Sequence, residues 1–444
     1  MSKSQSQQEN STRRQFLQST SVAMATGALA GGIARTVHAA GDDTIRIALI
    51  GCGGRGTGAA TQALSTSGPV KLVAMADVFK DRLQGSLQII STKHGKRVDV
   101  PEERQFIGFD AYQRALAADV DLVILATPPG FRPLHFNAAV QAGKHIFMEK
   151  PVAVDAPGVR AVLKAAEAAK QKNLCIGVGL QRHHQAHYRA TIKRLQDGAI
   201  GDIQTTRVYW NMGLLWVKKR ADLEKQAGRK LSELEYQMRN WYYFVWMCGD
   251  HINEQHIHNL DVSNWLKGAY PVKAHGMGGR QVRTGLDSGQ IFDHHAVEFT
   301  YEDGTTMFSQ CRQMHDCWNS VSEHARGTRG IANISKGRIV GKETWRYRGP
   351  DANPYQVEHD DLFAAVRAGT PYNEAEYGAK STMTAILGRM ATYSGKLVHW
   401  KDALASNLSY ADTANLRNFD DPAPLTPDAD GRYPAAIPGV TKAM

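Results

Sequence analysis

Three groups of residues carry types and spacings that can do chemistry. The first is Gly51-Cys52-Gly53-Gly54-Arg55-Gly56, a glycine run that can cradle phosphates. In such a run Gly51 permits a tight turn and Gly53 lets backbone amides approach a pyrophosphate. Gly56 lets a helix pack closely on the preceding strand, and the N-terminus of that helix favours negative charge. Gly54 and Arg55 lie within the same loop, so they count with it as nucleotide contacts. Asp77 follows at the distance expected of a ribose-binding carboxylate. It can accept hydrogen bonds from the adenosine ribose and would repel a 2′-phosphate, which favours NAD; Lys80, Arg82 and Arg55 keep NADP possible.

The second group is Glu149-Lys150-Pro151. Taking a hydride from a hydroxyl-bearing carbon also releases a proton, so the site needs a group that accepts one near neutral pH. Lysine or histidine can serve. Lys150 stands at the C-terminal end of a parallel strand, where doubly wound folds place their ligands. Its competing role is an ion pair with Glu149 or a turn cap. The third group is the run from Gly249 to Asp261, with Asp250, His251, Glu254, His256 and His258 between them. On one helix Glu254, His258 and Asp261 share a face, at spacings of four and three. That spacing also gathers His251, Glu254 and His258, which are metal-ligand types. The HExxH arrangement is absent, so no metal is expected and a buried polar network is the plainer reading.

The elements that must position these groups follow from the pattern. Thr44 to Ile50 is a β-branched strand running into the glycine loop, and a helix-forming stretch, Thr57 to Leu64, follows. Strand Val70 to Ala76, helix Lys80 to Thr92, strand Asp121 to Ala126, helix His135 to Ala142 and strand His145 to Met148 continue the alternation. Strand-end residues Thr127, Pro128, Glu149 and Lys150 then face a cofactor crevice. Asp155 caps a helix with an early proline, Pro157, and strand Leu174 to Gly179 leads to Gln181-Arg182-His183-His184. The fold class expected is an α/β Rossmann domain with a doubly wound parallel sheet. Beyond it the alternation stops. Strands Thr205 to Trp210, Val297 to Tyr301 and Thr306 to Cys311, with a turn at Asp303-Gly304, indicate an α+β domain with a largely antiparallel sheet. Helices His359 to Arg367 and Ala379 to Tyr393 and a short strand Leu397 to Trp400 follow.

Between the strands of this second domain lies an insertion, Leu214 to Trp246, charged and then aromatic. Its Trp241, Tyr242, Tyr243, Phe244 and Trp246 are either sugar-stacking rings or core, and core is the commoner use. The tail after Asn418 is rich in proline and aspartate, as suits a surface-wrapping or oligomer-contacting arm or a disordered one. At the N-terminus, Thr12-Arg13-Arg14-Gln15-Phe16-Leu17-Gln18 reads as a twin-arginine export signal. A mild apolar stretch from Val22 to Ala34 and a small-residue cleavage site ending at Ala39 complete the leader. The expected organisation is a signal at 1–39, a nucleotide domain at 40–180, a substrate and oligomerisation domain at 181–418 and a tail at 419–444. The product is then periplasmic or otherwise exported, with the twin-arginine machinery as a partner and no transmembrane segment.

The net charge of +10 comes from scattered basic residues, which argues against nucleic acid as a partner. Five cysteines form no framework pattern, and an odd number cannot pair completely within one chain. Folding before export makes disulfides unnecessary.

With these residues in hand, the chain resembles the Gfo/Idh/MocA family of nicotinamide-dependent sugar and polyol oxidoreductases. The matching pieces are the glycine loop, Asp77, Ala126-Thr127-Pro128-Pro129, Glu149-Lys150-Pro151, Gly198-Ala199-Ile200-Gly201, the segment His258 to Trp265, and Gly395-Lys396-Leu397-Val398. The resemblance implies a Rossmann domain followed by an open-faced sheet, with nicotinamide and a carbohydrate substrate meeting between them. It makes His258 the acid/base that handles the hydroxyl proton, and Glu254 the group that orients it or touches substrate. It places Gln181, Arg182, His183 and Tyr188 against nicotinamide or sugar hydroxyls; Lys150, from its strand-end position, and Trp241, from its ring, are expected at the substrate as well. The family pattern has an aspartate four positions before the histidine and a glycine midway; here Glu254 and His256 stand there instead. Because free nucleotide is scarce outside the cytoplasm, the expected reaction keeps its cofactor bound and recycles it in place. The alternative is a redox-neutral glycoside hydrolase or lyase resembling glycoside hydrolase family 109. A homodimer or homotetramer is expected.

Overall fold

The computed structural model describes residues 43–444, and the leader, with its Ala39 cleavage site, lies outside them. Six parallel strands form the first sheet: β1 (Ile45–Ile50), β2 (Val70–Asp77), β3 (Gln105–Ile107), β4 (Leu122–Leu125), β5 (His145–Met148) and β6 (Ile176–Val178). Their order is β3-β2-β1-β4-β5-β6, so the chain reverses direction across the sheet between β1 and β4. At that switch point a crevice opens at the carboxyl ends of the strands. The strands are apolar almost throughout, as β1 illustrates with four successive buried residues at its end, because helices cover both faces.

Nine strands form the second sheet. They are β7 (Ile203–Met212), β8 (Lys273–Gly279), β9 (His294–Thr300), β10 (Thr306–Gln313), β11 (Ser320–Gly327), β12 (Gly330–Asn333), β13 (Arg338–Val340), β14 (Thr344–Arg346) and β15 (Val398–His399). The order is β14-β13-β12-β11-β7-β10-β9-β8-β15, antiparallel except where β10 lies parallel to β7. The β9-β10 hairpin turns at Gly304, in a left-handed conformation at φ +84°, as the Asp303-Gly304 pair requires. Residues alternate between a covered and an open face; on the open one Met277, Phe308 and Ile331 remain exposed.

The two layers meet along helix Ala375–Ser394, buried around nearly its whole circumference because its residues are small or apolar on every side. Arg389 crosses the seam: one guanidinium nitrogen donates to the Gly249 carbonyl (2.8 Å) and another to the Val154 carbonyl (2.7 Å). A second contact joins backbone to backbone. The Gly130 amide donates to the Met247 carbonyl (2.9 Å), and a Cβ on Gly130 would sit 2.1 Å from the Trp246 carbonyl oxygen.

One expectation changes, and for the tail the surface-wrapping alternative is the one observed. The run from Gly249 to Asp261 is not one helix: it is His251–Glu254 and then Ile257–Lys267, with a break at Gln255 and His256. Glu254 and His258 therefore lie on either side of a corner rather than along one helix face. The tail from residue 419 is not free: Phe419 stacks on Phe79, and Tyr433 packs edge-on against Phe244. All five cysteines are unpaired, four of them buried. Among the described residues no helix is long and apolar enough to cross a membrane.

Gly130→Ala should lower stability by about 1–3 kcal/mol, since backbone, not a movable side chain, fills the space a methyl would need. A urea midpoint that stays put would show that the seam gives way more easily than its geometry indicates.

Candidate active site

A cavity of about 740 Å³ runs along the carboxyl ends of β1, β2, β4 and β5 and beneath the insertion. One wall is the glycine loop. Gly51 has φ +97°, and any Cβ there would meet the Thr127 amide nitrogen at 2.5 Å. Gly56 packs where a Cβ would lie 2.0 Å from the Gly51 carbonyl oxygen, so its part is to close helix on strand rather than to line the cavity. Gly53 and Gly54 do line it, and nothing lies within 4 Å of where their Cβ atoms would be. That is a cradle open to phosphate at the start of helix Gly54–Ala63, whose N-cap Gly53 offers no side chain in competition.

Asp77 ends β2 and ties the loop to it. Its carboxylate accepts from the Cys52 amide (2.6 Å) and the Phe79 amide (2.8 Å). Burial raises its pKa, and the two amides oppose that shift. Phe79, Arg82, Phe109 and Tyr112 continue this end of the cavity. The donor set fits a dinucleotide: an amide-lined cradle, a carboxylate at the ribose position, and rings beside it.

At the opposite end Thr127, Pro128, Glu149 and Lys150 come together. Buried Arg132 gathers their backbones, donating to the carbonyls of Leu125 (2.7 Å), Glu149 (2.8 Å) and Thr127. Glu149 does not pair with Lys150. It binds Arg55, which also reaches Glu358 at 3.3 Å. Burial alone would lower the pKa of Arg55, but these two carboxylates more than offset it and hold it raised. Lys150 is left to another partner. Its Nζ donates to the Glu254 carbonyl (2.6 Å) and to Glu254 Oε1 (3.2 Å).

Glu254 Oε2 is buried without a partner, and burial raises the pKa of this carboxyl while Lys150 opposes the rise. His258 lies parallel to Trp210, ring centroids 5.8 Å apart. Burial, with Lys150, Arg182 and Arg55 nearby, pushes its pKa well below the ordinary histidine value, so the ring is neutral at physiological pH. Lys150, Glu254 and His258 all line the cavity, and this is where a hydroxyl group can lose a proton.

The structure does not bring every expected residue here. Gln181 stands behind the wall, donating to the Tyr355 hydroxyl at 3.2 Å. Arg182, His183 and Tyr188 do not line the cavity: Arg182 and His183 belong to a tight turn after β6, Gln181–His184, and Tyr188 follows on helix Ala186–Gln196 with its side chain buried. Arg182 and Tyr188 both bind buried Glu323, the tyrosine at 2.9 Å. His183 lies 2.8 Å from Asp261 and stacks against Trp265 and Tyr377. So Asp261 secures His183, not the neighbourhood of His258. Of the insertion's aromatics, Trp241 faces the cavity while Tyr242, Tyr243, Phe244 and Trp246 are core.

Other lining residues carry little sequence signal: Trp210 on β7, Tyr355, and Trp216, Lys218, Met238 and Arg239 from the insertion. The insertion's mixture of charge and rings marked it as unusual; that it roofs the nucleotide crevice depends on tertiary folding. The described residues also hold one His-Asp cluster with metal-ligand spacing, Asp250, His251 and His295. Its geometry is that of a hydrogen-bonded core, with Asp250 accepting from His251, from the Phe292 amide and from the Tyr393 hydroxyl.

Fold and site together define a dinucleotide-binding protein of the Rossmann type whose second domain closes the nicotinamide end with proton-carrying groups. Residues 45–180 match the model of the GFO_IDH_MocA family, described as an oxidoreductase family with an NAD-binding Rossmann fold. Over this domain the chain is similar to the Gfo/Idh/MocA oxidoreductases, and the cofactor such a domain binds is a nicotinamide dinucleotide.

Similar proteins include an inositol 2-dehydrogenase of Rhizobium meliloti (strain 1021), 33% identical over 165 residues, covering 37% of this chain and 44% of that protein. A glycosyl hydrolase family 109 protein of Streptomyces coelicolor is 29% identical over 162 residues, 36% of this chain and 32% of that one. The matches thus span less than half the length of each of these relatives. Among solved structures, the aldose-aldose oxidoreductase from Caulobacter crescentus complexed with glycerol shares the fold at a TM-score of 0.63 and 18% identity, covering 80% of this chain and 99% of that one. Scyllo-inositol dehydrogenase from Lactobacillus casei with bound NAD(H) and scyllo-inositol does so at 0.59 and 21%, covering 81% and 99%.

His184, in the turn after β6, is bonded to Asp361 (2.7 Å) and Glu374 (3.1 Å). Burial opposes its charged form, but the two carboxylates prevail and raise its pKa to about 9. A raised folded-state pKa stabilises fully below the unfolded value of about 6.5, and the contribution is lost as pH rises through about 9. His184→Gln should therefore show a smaller drop in thermal midpoint between pH 6 and pH 10 than the parent protein. Equal drops would mean that the triad does not hold its proton.

Proposed function

We propose that the protein is an exported oxidoreductase that moves hydride between a tightly held nicotinamide dinucleotide, NAD with NADP possible, and a sugar, sugar derivative or polyol. The observation that carries this reading is the meeting of Lys150, Glu254 and His258 at one end of a cavity whose other end is the glycine loop and Asp77. When bound, the nicotinamide supplies hydride acceptance and return. The chain's own residues deal with the proton. Neutral His258 can take it from the substrate hydroxyl, since its depressed pKa keeps it in the base form. Lys150, fixed by the Glu254 carbonyl and carboxyl, donates to that oxygen and holds it in line. Trp210, Trp216 and Trp241 offer ring faces against which the C–H surfaces of a sugar pack.

The twin-arginine motif supports export and a periplasmic location, and scarcity of nucleotide there favours a reaction that oxidises one carbohydrate and reduces another in place. The exposed Met277, Phe308 and Ile331 on the open sheet face favour a homodimer or homotetramer. One observation favours a second reading. Glu254 is a buried carboxyl at the cavity whose Oε2 has no partner and whose pKa burial raises, so the site offers a group that can assist departure of a glycosidic group, as in a redox-neutral hydrolase or lyase.

Incubating the purified protein with free sugars and, separately, with aryl glycosides distinguishes the two. A change in nicotinamide absorbance with a free sugar supports the oxidoreductase, whereas aryl release without net reduction supports the hydrolase. Protein that carries no nucleotide and binds none would refute both. Lys150→Met should lower turnover by roughly 10²–10⁴-fold while nucleotide remains bound. The acid limb of the pH–rate profile should fall below the ordinary histidine range, following His258. A limb near pH 6.5 that survives His258→Gln would remove His258 from the reaction.

A further inference from the structure

Helix Glu233–Arg239 ends over the adenosine end of the cavity. There the Arg239 guanidinium lies 4.0 Å from the centre of the Phe79 ring. It is held in place by Glu235 at 3.0 Å and by Asp81 at 3.5 Å. Phe79 follows Asp77 by two residues, and both Phe79 and Arg239 line the cavity. Phe79 is also braced from outside: Phe419 stacks on it with centroids 5.2 Å apart at 14°, and meets Phe109 edge-on at 5.4 Å.

The tail that delivers Phe419 then runs to the helix that carries Arg239 and ties it down. The Leu425 carbonyl accepts from the Gln237 side chain, and the Tyr433 hydroxyl bonds to Glu233 and accepts from Arg220 at 3.1 Å. Tyr433 packs edge-on against Phe244, and Arg432 donates to the Thr284 carbonyl at 2.6 Å. Thus the roof over the nucleotide crevice is fastened by a strap from the far end of the chain, and both press on one ring beside the ribose-binding carboxylate.

We infer that Arg239 and Phe419 form a clasp at the adenosine end that makes the dinucleotide a resident group: the helix 233–239 must come away before the nucleotide leaves. Arg239 is then a cofactor-contacting residue, a planar cation suited to adenine or ribose. Phe419 is a positioning residue, acting through Phe79. This rests on the reading that the cavity holds a nicotinamide dinucleotide, and it supplies what in-place recycling requires.

The test measures exchange, not turnover. Full-length holoprotein is mixed with excess radiolabelled NAD, and bound label is followed after rapid gel filtration. The wild type should exchange over hours. Arg239→Ala and Phe419→Ala should each exchange at least tenfold faster, Phe419→Tyr should stay near the wild-type rate, and thermal midpoints in saturating NAD should remain close. Tyr433→Phe, which removes one hydroxyl from the tie to Glu233, should also accelerate exchange, and keeps the test open should a larger truncation fail to fold. Wild-type exchange complete within seconds, or variants exchanging at the wild-type rate, would overturn the clasp. A purified protein that contains no nucleotide and takes up no label would overturn the cofactor reading itself.

Discussion

Lys150 leaves the carboxyl end of β5, and Glu254 sits at the break between two helices of the second domain. Their contact, 2.6 Å to the carbonyl and 3.2 Å to the carboxyl, joins the layers at the place where chemistry is proposed. Glu254 is buried and Lys150 largely so, and in such surroundings an unpaired charge is costly. The rest of the structure can be understood as keeping that pair intact. Arg55 takes Glu149 away from Lys150; Arg132 fixes the strand ends; Arg389 and Gly130 set the separation of the layers. Moving either layer by an ångström would leave an ammonium and a carboxyl in a poorly solvated cavity without each other.

The nucleotide half of the fold was legible because its signals are local. A strand, a glycine loop and a helix read in order, and Gly51 and Gly56 answer to backbone constraints that any residue with a Cβ would violate. The parallel alternation could be followed strand by strand, with only the short β3 unannounced. In the second domain the hairpin at Gly304 was plain, whereas the helix drawn through Glu254, His258 and Asp261 was broken. Spacing can place residues on a shared face only while the helix continues, and Gln255 and His256 end it.

Site residues divide along the same line. Lys150 and His258 reach the cavity from positions that strand ends and family resemblance marked. Arg182, His183 and Tyr188 do not, because sequence proximity to a strand end says nothing about which way the turn and helix that follow it send their side chains. Their partners Glu323, Asp261, Trp265 and Tyr377 come from elements far away in the chain. Arg239 and Trp216 escaped notice for the converse reason: an insertion without periodicity folds over a glycine loop and carboxylate that precede it by more than a hundred residues.

Every residue that lines the cavity lies before position 419, while Phe419, which braces Phe79, and Leu425 and Tyr433, which tie down the roof helix, lie in the stretch from 419 on. In a chain made from its N-terminus, the walls exist before their fastening does. The order of synthesis thus provides an interval in which the crevice is formed but not yet shut. Loading becomes a stage of maturation, and the stretch from Phe419 to Tyr433 works as a seal.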